Sequence, residues 1–156
     1  MIPPIEKLVL LEQQVSAEKG PFALFAIFLR EDAPDRWDLV VSAPWIDELS
    51  RGQPGQDPLS YLVNRIHSSL SPEELLSISR IVQIQPGDPS LEALQRAIST
   101  EHNSVEVRDS LFFGLKIKHA YIVTSKRRDQ SANADTTNHE AARRQRTASR
   151  KKGRAK

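Results

Sequence analysis

PFALFAIFLREDAPDRWDLVVSAPW, residues 21–45, sets two apolar runs on either side of a polar segment. The first run, residues 22–29, is eight apolar residues without a break and carries Phe22, Phe25 and Phe28. An unbroken run this short suits a strand covered on both faces better than a helix. The connector, residues 30–36, holds Glu31, Asp32, Pro34 and Asp35. Aspartate favours turns through local side-chain to backbone bonds, and proline does so through its fixed φ, so the chain reverses there. In the second run Leu39, Val40 and Val41 follow one another until Ala43 and Pro44 stop it, since proline cannot donate to a ladder. The reading is an antiparallel hairpin at the heart of a β-sheet.

On the N-terminal side, Ile5, Leu8, Val9 and Glu12 recur at helical spacing with Leu10, Leu11 and Val15 beside them. Pro3 and Pro4 are tolerable only near the start of such a helix, and Gly20 with Pro21 ends it. On the C-terminal side, residues 45–51 suit a short helical turn, and Gly52, Pro54, Gly55 and Pro58 mark a mobile loop. Leu59, Leu62, Val63, Ile66 and Leu70 then share one helical face. Ser71 before Pro72, Glu73 and Glu74 has the composition of a helix start, with a capping hydroxyl and acids at the positive end of the dipole. That helix must be short, because ISRIVQI at residues 78–84 is a β-branched run closed by Pro86 and Gly87.

Asp88, Pro89 and Ser90 open a further helix over residues 91–98, which suggests a strand, helix, strand crossover. Residues 105–108 alternate with period two. Residues 115–124 alternate at first and become apolar throughout from Ala120, as a strand does that begins near an edge and finishes inside. The order of elements predicts an α/β fold. It comprises a mixed sheet of about five strands with an N-terminal β-hairpin and three to four packing helices. No repeat of solenoid length is visible.

A chain of 156 residues with 38% hydrophobic content has room for one compact core and an appendage. The division falls after Ser125. Residues 1–125 carry 11 Lys plus Arg against 17 Asp plus Glu, a net of −6, and residues 126–156 carry 11 against 3, a net of +8. Residues 126–156 also lack every large apolar side chain, so they cannot offset their ordering entropy by burial. The expectation is a single domain over 1–125 and a disordered basic tail over 126–156, with residues 138–145 able to become helical in a complex. The absence of cysteine removes disulfides, thiolate nucleophiles and cysteine-ligated zinc. No secretory leader pattern opens the chain and no apolar run approaches membrane-spanning length, so the expected setting is the cytoplasm, with no membrane contact.

Chemistry-bearing motifs are sparse. No Gly-x-Gly-x-x-Gly, phosphate-loop or Gly-x-Ser-x-Gly pattern occurs, and no cofactor or metal site is expected. The histidines are His67, His102, His119 and His139, none spaced from another as ligands on one helix. Two have a carboxylate four residues away, His102 with Glu106 and His139 with Asp135, but neither pair is expected to share a helix face. His119 is the histidine of interest; its alternation with Leu115 and Ile117 points it towards the core. A nuclease-like site can be assembled from Asp38 on one strand and Glu106 and Arg108 on another, with His119, because phosphodiester cleavage needs carboxylates converging near a cation. Those acids are equally what strands present to solvent. Trp37 and Trp45 bracket the second strand as core anchors or as a partner-facing patch.

The tail has a direct physical mechanism. Arg143, Arg144, Arg146, Arg150, Lys151, Lys152, Arg154 and Lys156 crowd the last fourteen residues. A polycation binds nucleic acid by releasing condensed counterions, largely without regard to sequence. Self-association with the acidic body is the competing use of those charges. The sequence therefore favours a non-enzymatic binding or accessory module, with a protein partner for the body and nucleic acid for the tail. The alternative is a metal-dependent, nuclease-like enzyme of nucleic-acid metabolism.

Overall fold

The computed structural model describes residues 3–46 and 58–128. The helices are α1 (Ile5–Lys19), α2 (Pro58–Ser69), α3 (Pro72–Leu75) and α4 (Pro89–Ala97). The strands are β1 (Leu24–Arg30), β2 (Trp37–Ser42), β3 (Ile78–Gln83), β4 (Val105–Phe112) and β5 (Leu115–Ser125). They form one mixed sheet in the order β3-β2-β1-β5-β4. Of its neighbouring pairs β2–β3 is parallel, and β1–β2, β1–β5 and β4–β5 are antiparallel. The hairpin of residues 21–45 is indeed central, with Phe25 opposite Val41 and Ile27 opposite Leu39.

Alternation along β1 and β2 feeds two cores. On one face Phe25, Ile27, Leu39 and Val41 meet Leu8, Leu11 and Val15 of α1 and Leu62 and Ile66 of α2. Phe22 lies edge-on to both Phe25 and Trp45, at 5.0 and 5.6 Å between ring centroids. On the other face Leu24, Ala26, Val40 and Ile122 meet Leu91 and Leu94 of α4. Helices on both faces explain why residues 22–29 contain no polar position. Trp37 and Trp45 are both buried and serve as core anchors.

Gly20 ends α1 at φ 128°, where a β-carbon would meet the Trp45 ring at 3.1 Å. Pro58, expected in a loop, instead opens α2, at a position where its missing N–H has no helical partner to lose. Ser71 and Glu74 complete a capping box on α3, and Lys7 of α1 reaches Glu74 at 2.9 Å. That lysine, followed by the cap's own N–H, holds the Glu74 carboxyl below its ordinary range. A helical turn opens at Pro44; the rest of that segment and the glycine-proline loop after it fall outside the described residues.

The parallel crossover joins β2 to β3 through α2 and α3; β3 and β4 occupy opposite edges, and α4 carries the chain across a whole face between them. β4 and β5 also form a second hairpin, closed by Phe113 and Gly114 at φ 55° and 75°. Two successive left-handed residues match the twist of a two-residue hairpin. The strained phenylalanine is held by its neighbours, since Phe28 stacks on Phe112 at 5.3 Å and lies 6.4 Å from Phe113. Among the described residues after Ser125, Arg127 meets Glu92 at 3.4 Å, and Arg128 bonds both Glu101 and the Phe22 carbonyl.

Candidate functional site

β5 does not keep a simple alternation. Its pairing with β1 steps from Leu29 opposite His119 to Arg30 opposite Ile117, so Lys118 forms an irregularity. Asp109, at φ 49° in β4, sits between the Arg108–His119 and Ser110–Ile117 pairs. Ile117 consequently joins the α4-side core with Ala120 and Ile122, while His119 turns to the opposite face beside Trp37 and Tyr121. The expectation that His119 shares a face with Ile117 fails because a bulge shifts the period by one residue.

There His119 Nε2 lies 2.6 Å from Glu106 Oε2, and Arg108 donates to the same oxygen at 2.7 Å. The His119 ring packs 5.4 Å from Trp37 and 4.7 Å from Tyr121. The His119 hydrogen bond, assisted by Arg108 against partial burial, holds the Glu106 carboxyl below its ordinary range. Glu106 and His119 thus come together. Asp38 does not join them: it stands opposite Phe28 on the α4 side, bonded to Arg80 at 3.3 Å and close to Arg30 at 3.4 Å. The two acids of the nuclease-like constellation lie on opposite faces, each compensated by arginine. Among the described residues no three His, Asp or Glu side chains are grouped to hold a metal ion.

A second polar cluster has no precedent in the sequence reading. Glu12 of α1 is fully buried; its Oε2 accepts from Thr124 Oγ1 at 2.8 Å and its Oε1 lies 2.7 Å from His102 Nδ1. The His102 backbone N–H donates to the same threonine oxygen at 3.1 Å, which helps hold His102 at φ 56°. Neighbouring Glu101 gathers Arg128, Lys126 and the His102 ring. Burial works against its charge, but Arg128 prevails and keeps its carboxyl below the ordinary range. The available signal was an acid at position 12, in the apolar stripe of Leu8, Leu11 and Val15.

A cleft of about 390 Å³ opens between the start of α4 and the end of the sheet, lined by Ser42, Asp88, Glu92, Gln95, Arg127 and Arg128 among others. Its arginines face Glu92 and Glu101, so its charges balance within the fold. The eight tail cations from Arg143 to Lys156, and His139, lie outside the described residues. Compared with protein families, with curated proteins and with solved structures, the chain matches none.

Proposed function

We propose that this chain is a non-enzymatic binding or accessory module whose α/β body engages another protein and whose basic tail associates with nucleic acid in the cytoplasm. The observation that carries the reading is the charge division: eight cations in the last fourteen residues of a chain whose first 125 residues are net −6. Lys126 and Arg128 are near Glu101, and Arg127 is near Glu92. A cut after Arg128 therefore separates body from tail without disturbing those pairs. The proposed contacts are with phosphates, through Arg143, Arg144, Arg146, Arg150, Lys151, Lys152, Arg154 and Lys156, and need no base readout.

The metal-dependent alternative has less support, since Asp38 and Glu106 are held apart by the sheet and each already faces arginine. The test is fluorescence anisotropy with a labelled duplex of arbitrary sequence at low salt, comparing the full chain with one ending at Arg128. Loss of binding on truncation supports the proposal, and equal binding by the two proteins refutes it.

A further inference from the structure

β4 is the terminal strand of the sheet. It bonds to β5 on one side and has no strand on the other among the described residues. Such an edge presents unpaired backbone groups and is a template for another strand. Its charged side chains are arranged in a particular way. Glu106 and Arg108 are two residues apart, project from one face and are exposed, their side chains 43% and 66% accessible. Val105 and Val107 project from the other face, where Val107 joins the α4-side core.

We propose that β4 pairs antiparallel with β4 of a second copy of this chain, about a two-fold axis passing through Val107. Symmetric pairing that keeps each face continuous matches residues of equal parity. Three such registers place the charged pair at the centre. Two of them set Glu106 against its own copy or Arg108 against its own copy, and like charges directly opposite oppose pairing. The register centred on Val107 instead sets Glu106 opposite Arg108 of the second copy, twice, by symmetry. The existing 2.7 Å contact of Glu106 with Arg108 then becomes one side of a four-charge ring of alternating sign. The irregular backbone at Asp109, φ 49°, limits the pairing to the first half of the strand. The edge thus disfavours pairing in the two like-charge registers. This inference is independent of the nucleic-acid reading, since it uses no residue of the tail.

The experiment combines sedimentation equilibrium with thiol crosslinking on the full chain. Glu106→Lys alone and Arg108→Glu alone each place like charges opposite at both symmetric contacts. Each should raise the dimer dissociation constant by at least about tenfold, and the double swap should restore it to near the wild-type value. Arg108→Glu retains the Glu106 contact with His119, so its effect is not a loss of that bond. Both side chains are exposed, and thermal melts of the variants report whether the fold persists.

The chain contains no cysteine, so Val107→Cys introduces a single thiol on the axis. Residues opposite one another in such a pair have Cα atoms about 4.5–5.5 Å apart, within disulfide range, and mild oxidation should yield a covalent dimer. Leu111→Cys is the control: Leu111 is 68% exposed, yet it lies more than about 20 Å from its copy in this register and should not crosslink. A monomer at all concentrations overturns the proposal. So does a dimer indifferent to single charge reversals, a double swap that fails to restore it, or equal crosslinking at 107 and 111.

Discussion

Thr124→Val removes one hydroxyl from the interior while preserving shape, and the structure says what that hydroxyl does. It donates to Glu12 Oε2 at 2.8 Å and accepts the His102 backbone N–H at 3.1 Å. Both Thr124 and Glu12 are fully buried, so neither lost partner is readily replaced by bulk water. Leaving a buried carboxyl oxygen without its donor costs about 1–3 kcal/mol, and the lost backbone bond about 0.5–1.5 more. The expected total is about 2–4 kcal/mol, which at this chain size lowers the melting temperature by about 6–15 °C. Chemical denaturation followed by circular dichroism measures it, with Thr124→Ser as the control expected to cost less than about 1 kcal/mol. Replacing the acid as well, in a Glu12→Met and Thr124→Val double variant, should cost less than the sum of the two single changes. A Thr124→Val cost under about 0.5 kcal/mol refutes the claim that this cluster locks α1 to β5.

Phe25 is fully buried in the central strand and contacts Phe22 edge-on, so Phe25→Ala should cost about 3–5 kcal/mol by denaturant titration. Glu106 binds protons more weakly in the folded state than its ordinary value of 4.5. Its stabilising contribution is therefore complete above that value and disappears as pH falls through the lower folded-state value. Melting curves of wild type and Glu106→Gln should differ at neutral pH and converge as pH falls through the lowered folded-state value. A chain ending at Arg128 should unfold as cooperatively as the full chain, because the residues removed include no large apolar side chain.

The sheet was legible where side-chain type alone decides structure. Residues 22–29 are apolar at every position because both faces of β1 are covered, and the turn between β1 and β2 carries its own aspartates and proline. Legibility failed where a distant contact decides. Phe113-Gly114 is a weak turn signal beside Asn-Gly, and its left-handed phenylalanine is sustained by Phe28, far away in sequence. The irregularity at Lys118 lies in the pairing with β1, so alternation within β5 could not place His119. Glu106 and His119 were each singled out, but their 2.6 Å contact arises from a hairpin that period two does not encode. Glu12 and Thr124 are separated by 112 positions, and only folding brings them together.

The proposed role of the tail is that of a polycation, and the salt dependence of duplex binding tests it directly. Each phosphate neutralised contributes about −0.9 to the slope of log affinity against log salt. With eight tail cations the slope should be steep, up to about −7, and the same for unrelated duplex sequences. A slope near zero, or an affinity that follows sequence at constant salt, contradicts it.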